Sequence, residues 1–230
     1  MIKNSNLFSV VFPTMWRIKE TVQDLRQLEQ CNFIGEIILI NNSIKDTPSN
    51  FDVSSFSKII EVKPPVNLYI NPSWNLGIKM SKFDKIMIKS DDTFFDYEKA
   101  LSVISRELDK EDLLIGTYLQ HDNYKIRSIN ETEVIFTEVP KRDIGFGCSM
   151  FLNKKSFVPI NDKILIWYGD DFMAESYTRR GLKLKTVCGI NINGYIAATI
   201  NHVDELIKIK HKDEELWNTD KEILFKECNL

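Results

Sequence analysis

Two pairs of adjacent carboxylates stand out by residue type and spacing. Asp91 and Asp92 follow an apolar run in "IKSDDTFFD", residues 88–96, and Asp170 and Asp171 follow Gly169 in "YGDDFMAESYTRRG". Like charges side by side repel, and such a pair persists most readily where a cation or a polar ligand makes use of both. The competing reading of Asp91 and Asp92 is a solvated turn without chemistry, since Asp is a common turn former at strand ends. For Asp170 and Asp171, Gly169 permits a tight approach, and a helix N-terminus keeps carboxylates ionised through its dipole and free N–H groups. N-capping accounts for one of that pair but not obviously for both. The three histidines, His121, His202 and His211, are scattered, and a lone His is usually structural or solvated.

The elements that would position these side chains alternate in type. Residues 8–12 form a β-rich run closed by Pro13 and Thr14, and Ile18, Val22, Leu25 and Leu28 then recur at helical spacing. A second buried strand at 36–40 ends at Asn41, Asn42 and Ser43. A third follows at 58–62, then a short helix at 74–80 and a strand at 85–89. Asp91 and Asp92 stand at the carboxyl end of that strand. Alternating strands and helices imply a mostly parallel sheet, whose ligands bind beyond the strand carboxyl ends. Tyr97, Leu101, Ile104 and Leu108 mark another helix, and residues 113–116 another strand. Residues 126–129 and 134–136 flank a polar stretch and predict a hairpin, an antiparallel excursion beside the main sheet. A strand at 146–152, a helix at 170–180 stopped by Gly181, a strand at 182–187 and one or two polar helices after His202 complete the reading.

The 230 residues suit one α/β domain, without a Pro, Gly or Ser-rich linker. A net charge of −3 and a pI near 5.7 argue against a broad nonspecific grip on nucleic acid. Cys31, Cys148, Cys188 and Cys228 are far apart with no CxxC pair, and "MIKNSNLFSVVF" lacks the features of a secretory signal. The expectation is a cytoplasmic protein with reduced, mostly buried thiols. No apolar run approaches the roughly 18 residues of a membrane span.

Seven motifs in order carry a resemblance. "FSVVFPT", "EIILINNS", "NPSWNLGIKM", "IMIKSDDTFFD", "GFGCSMFLNKKSF", "YGDDFMAESYTRRG" and "NTDKEILFKE" together resemble the family-2-like glycosyltransferases of GT-A fold across nearly the whole chain. The resemblance implies a single Rossmann-like domain over 1–230, with about 1–95 binding a nucleotide-diphosphate sugar and about 96–230 binding a hydroxyl acceptor. It implies donor contacts from Pro13, Thr14, Asn41, Asn75 and Asp91, and a Mn2+ or Mg2+ ion held by Asp92 and by His202 as a further ligand. It makes Asp171 the general base and Asp170 its acceptor-orienting partner, and a base opposite the leaving group gives inversion. Two departures bear on this. Asn41 replaces the Asp that usually reads the base, and Ser90 occupies the first acidic position of the DxD-type motif, which moves the metal role to Asp92.

The chemistry suits these types: a departing diphosphate gains charge that a hard cation receives, and an acceptor hydroxyl needs a carboxylate to take its proton. Trp167 and Tyr168 read either as an aromatic floor for a sugar or as core. Arg179 and Arg180 read as good C-terminal helix electrostatics. The acceptor is left open among a glycan, a lipid-linked sugar and a protein, with modified DNA disfavoured by the acidic pI. A noncatalytic nucleotide-sugar-binding domain is the alternative. A sugar nucleotidyltransferase is disfavoured because "FPTMWRIKE" contains no glycine.

Overall fold

Apolar runs buried on both faces demand helices above and below them, and the architecture follows from that requirement. The computed structural model describes residues 4–118, 120–122, 125–127, 133–143, 145–195 and 203–230. In chain order the elements are β1 (Phe8–Thr14), α1 (Thr21–Gln30), β2 (Ile34–Asn41), β3 (Ile59–Val62), α2 (Ile70–Met80), β4 (Lys85–Lys89), β5 (Thr93–Phe94), α3 (Tyr97–Leu108) and β6 (Leu113–Thr117). They continue with β7 (Gln120–Asp122), β8 (Lys125–Arg127), β9 (Ile135–Val139), β10 (Ser149–Asn153), α4 (Gly169–Arg179), β11 (Lys183–Cys188), β12 (Asn193–Tyr195) and α5 (Asp204–Glu227).

The main sheet has the order β3-β2-β1-β4-β10-β6-β11-β9. Its strands run parallel except β10 and β9, which pair antiparallel with their neighbours. A second, antiparallel sheet has the order β5-β12-β8-β7. The expected mixed α/β architecture with a small antiparallel excursion is the one observed.

Every residue of β1, β4 and β6 is buried. One apolar cluster joins the α1 stripe of Val22, Leu25 and Leu28 and the α3 stripe of Leu101, Ile104 and Leu108 to Phe8, Val10 and Phe12. A second cluster covers the other face, joining Trp74 and Ile78 of α2 and Phe172, Met173 and Tyr177 of α4 to Val11, Ile86 and Ile88. Gly77 lets α2 lie against β1, since a Cβ there would stand 2.3 Å from Val11 Cγ1. No described helix is long and apolar enough to cross a membrane.

Four sequence readings change. Among the described residues no hairpin joins 126–127 to 134–136, because β8 pairs with β7 and β12 while β9 pairs with β11 from Ile135↔Cys188 to Val139↔Leu184, and the rest of the expected 126–129 run lies outside the described residues. The five-residue ladder on β11, with Phe136 packed against the core, outweighs the short local pairing. The strand expected at 146–152 begins as a 3-10 turn, Phe146–Cys148, and ladders only from Ser149, since Phe146 turns inward over Gly116. Helix α2 starts at Ile70, with Pro72 in its first turn, where a missing N–H is harmless. Of the four thiols Cys31 alone is buried, and Cys148, Cys188 and Cys228 are partly exposed.

Candidate active site

Asp91 and Asp92 occupy the tight connection from β4 to β5, at the carboxyl edge of the sheet. Asp91 Oδ2 accepts from Thr14 Oγ1 at 2.7 Å, and that hydroxyl in turn accepts from the Trp16 N–H at 2.9 Å, so the end of β1 holds the turn. The Ser90 N–H donates to Cys148 O at 3.2 Å, and the Tyr195 N–H donates to Asp92 O at 2.9 Å. Burial pushes the Asp91 carboxyl up to about 7; the Asp92 charge adds to the rise, and the Thr14 hydrogen bond and the Lys89 ammonium oppose it.

Asp170 and Asp171 form the first turn of α4. That helix begins where Tyr168 takes a left-handed backbone, φ 59°. Gly169 is required next, because a Cβ would fall 2.0 Å from Asn71 Oδ1 and exclude α2. The loop before it is anchored by Asp213 on α5, fully buried, whose carboxylate accepts from the N–H groups of Leu165 (3.1 Å), Ile166 (2.7 Å) and Trp167 (2.9 Å). Arg142 bridges the pair: its guanidinium lies 3.3 Å from Asp170 Oδ2 and donates from Nε to Asp171 Oδ1. Burial raises the Asp170 carboxyl to about 6; Arg142 pulls it down and Asp171 pushes it up. The other Asp171 oxygen, Oδ2, is buried without a partner among the described residues.

A cavity of about 230 Å³ separates the two pairs and is bordered by both. Pro13, Thr14, Asp91, Asp92, Asp170 and Asp171 are therefore brought together, as are Trp167 and Tyr168. Trp74 also borders the cavity, and its buried indole N–H has no partner among the described residues. An orphan donor and an orphan acceptor beside one cavity are what a polar ligand would satisfy.

Two expected donor contacts lie elsewhere. Asn41 is fully buried and its amide is occupied: Oδ1 accepts from Trp16 Nε1 at 2.9 Å, and Nδ2 donates to Thr47 Oγ1 at 3.0 Å and Glu61 Oε1 at 2.9 Å. Asn42 borders the cavity instead. Asn75 faces a different loop, exchanging hydrogen bonds with the backbone of Ile160 at 2.8 and 2.9 Å. His202 lies outside the described residues. His211 is exposed on α5, 3.6 Å from Glu214. Arg179 is engaged with Glu175 and Glu222 at 2.8 and 2.5 Å, and Arg180 with Ser156 O at 2.7 Å. Tyr168 stacks on Trp217 with ring centroids 5.1 Å apart.

Arg142, Asp213 and the pair Lys89 and Asp24 were not singled out from sequence. Arg142 and Asp213 sit among other charges and carry no local signal. Asp24 does: it falls on the buried side of the α1 stripe, where a charge calls for a partner.

Among the described residues no three His, Cys, Asp or Glu side chains gather into a group that could hold a metal ion. The donor set nevertheless fits a hard divalent cation, since Mg2+-type sites take one or two carboxylates and complete the shell with water and substrate phosphate. Asp91 and Asp92 border the cavity and carry the mutual repulsion that a cation relieves.

No protein-family model and no curated protein matches the chain in sequence. In structure it is similar to TarS of S. aureus. Residues 1–349 of TarS in complex with UDP align with a TM-score of 0.62 and 12% identity over 94% of this chain and 73% of that one. A second structure of TarS residues 1–349 gives 0.59 and 11% over the same shares. A longer TarS structure gives 0.57 and 13% over 93% of this chain and 40% of that one. This chain thus spans under half of the longer TarS structure, and at such identity the likeness shows a shared mixed α/β fold alone.

Proposed function

We propose that this chain is a metal-dependent, family-2-like glycosyltransferase that moves a sugar from a nucleotide-diphosphate donor to a hydroxyl acceptor with inversion. The observation that carries the reading is the pair of carboxylate turns facing one cavity, in a fold shared with a protein that has been crystallised with UDP. Donor and acceptor chemistry each need one such turn.

On the donor side, Thr14 holds Asp91, and the carboxylates of Asp91 and Asp92 would hold Mn2+ or Mg2+ beside the donor diphosphate. The resemblance adds His202 to that set. The cation, when bound, neutralises the charge that develops on the leaving diphosphate. On the acceptor side, Arg142 orients Asp171 through Oδ1 and leaves Oδ2 to take the proton of the attacking hydroxyl. Asp170, with its carboxyl near 6, populates both protonation states around neutrality and can donate to or accept from a neighbouring acceptor hydroxyl. The indole N–H of Trp74 offers a further donor, and the rings of Trp167 and Tyr168 border the space where a sugar would lie. In this reading residues to about 95 serve the donor and the remainder the acceptor, a glycan, lipid-linked sugar or protein, in the cytoplasm.

The test is a thermal-shift panel of UDP, GDP, CDP and dTDP sugars, each with Mn2+, Mg2+ or EDTA. A donor at a hundred times its Kd stabilises the fold by about 2.7 kcal/mol. For a chain of this size that raises Tm by roughly 5 to 10 °C. A shift with one nucleotide that EDTA abolishes supports the proposal. No shift with any donor refutes it, and metal-dependent binding without transfer to any hydroxyl acceptor indicates a noncatalytic nucleotide-sugar-binding domain.

A further inference from the structure

Beneath the Asp91 and Asp92 turn a lysine is sealed from solvent. The Lys89 and Asp24 side chains are both 0% exposed and pair at 2.6 Å. Lys89 Nζ also donates to Ser90 O at 2.9 Å and to Thr93 O at 2.5 Å. The ammonium thus holds an ion pair to α1 and donates two hydrogen bonds that grip the turn on either side of the carboxylates. The anchor is itself held, because the Tyr97 hydroxyl donates to the other Asp24 oxygen. The rings of Phe12 and Phe94 stand 4.9 and 5.3 Å from Nζ and close the cage.

Stability alone does not account for this arrangement. Apolar residues of similar volume stabilise a core as well as a buried ion pair or better, because desolvation offsets much of the attraction. No apolar side chain, however, can draw together the two carbonyls that flank Asp91 and Asp92.

We propose that Lys89 is a positioning residue: anchored on Asp24, it clamps residues 90–93 so that the Asp91 and Asp92 carboxylates are presented together to a diphosphate-bound cation. The clamp stands on the geometry above, and its service to a cation rests on the function proposed in the preceding section.

Lys89→Met alone strands the Asp24 charge and is expected to fail to fold. The double variant Asp24→Asn with Lys89→Met removes both charges together and leaves none buried alone. In it, amides 91–94 should exchange about tenfold faster or more while those of β1 and β2 keep their rates. Its UDP affinity in Mn2+ should fall about tenfold or more, with UDP affinity in EDTA unchanged, a split that a loosened core would not produce. A folded double variant that keeps both its amide exchange at 91–94 and its Mn2+-dependent UDP affinity overturns the proposal. Should the double variant not fold, Tyr97→Phe keeps both charges and frees one side of Asp24; faster exchange at 91–94 then supports the clamp and unchanged exchange overturns it. If the parent chain itself binds UDP no better in Mn2+ than in EDTA, the functional reading fails, and the exchange measurement still decides the clamp.

Discussion

Asp91→Asn should stabilise the fold above neutrality while damaging its site. The Asp91 carboxyl stands at about 7 against an ordinary 3.8, raised first by burial and then by Asp92. Between those values the folded protein holds a proton that the unfolded chain has released, so stability falls as pH rises through that window. Each pH unit of the window is worth about 1.4 kcal/mol, so the ionised carboxylate costs the fold about 4 kcal/mol at pH 8 and about 1.6 kcal/mol at pH 5. An amide carries no charge, and its oxygen can still accept from Thr14 Oγ1. The advantage of the variant over the parent should therefore grow by about 2 to 3 kcal/mol from pH 5 to pH 8. Asp170 adds its own pH dependence in the same direction, but it is common to both chains and cancels in the difference. Urea denaturation at the two pH values measures the quantity directly. An advantage that does not grow with pH, or a variant less stable than the parent at pH 8, would refute the reasoning. Saturating Mn2+ should narrow the gap at pH 8 by stabilising the parent more than the variant.

Asp92→Asn should weaken metal-dependent donor binding, and unchanged Mn2+ and nucleotide affinities in calorimetry would remove it from the proposed cation site. Asp171→Asn should leave donor affinity intact and abolish transfer; normal turnover would move the base to Asp170 or beyond. Asp213→Ala strands the buried N–H of Ile166 and the partly buried ones of Leu165 and Trp167, and should cost about 3 kcal/mol or more in urea denaturation. A loss under about 1 kcal/mol would mean that water or a neighbouring residue takes over the anchor.

Most of the longer elements and their order can be read from the amino acids alone, because an apolar repeat of two or of 3.6 residues records which face is buried, and that is a local property. Strands β1, β2 and β4 and helices α1 and α3 were legible in this way. So were both carboxylate pairs and the edge of the sheet where they meet, since a parallel sheet places its crevice at the strand carboxyl ends. Strand pairing, by contrast, is settled by packing in three dimensions. The run that forms β9 suits a hairpin with β8 as well as a ladder on β11, and the choice lies in packing that a local pattern does not encode. Likewise the partners of charged side chains are contacts between segments far apart in the chain. Arg142 across Asp170 and Asp171, Asp213 under the α4 loop and Asp24 under Lys89 each join elements whose spacing the sequence leaves unconstrained. Asn41 makes the same point from the other side: its position at a strand end was legible, but the Trp16, Thr47 and Glu61 side chains that occupy its amide were not. Burial turns these groups into obligate pairs, and which pair forms is settled only when the chain has folded back on itself.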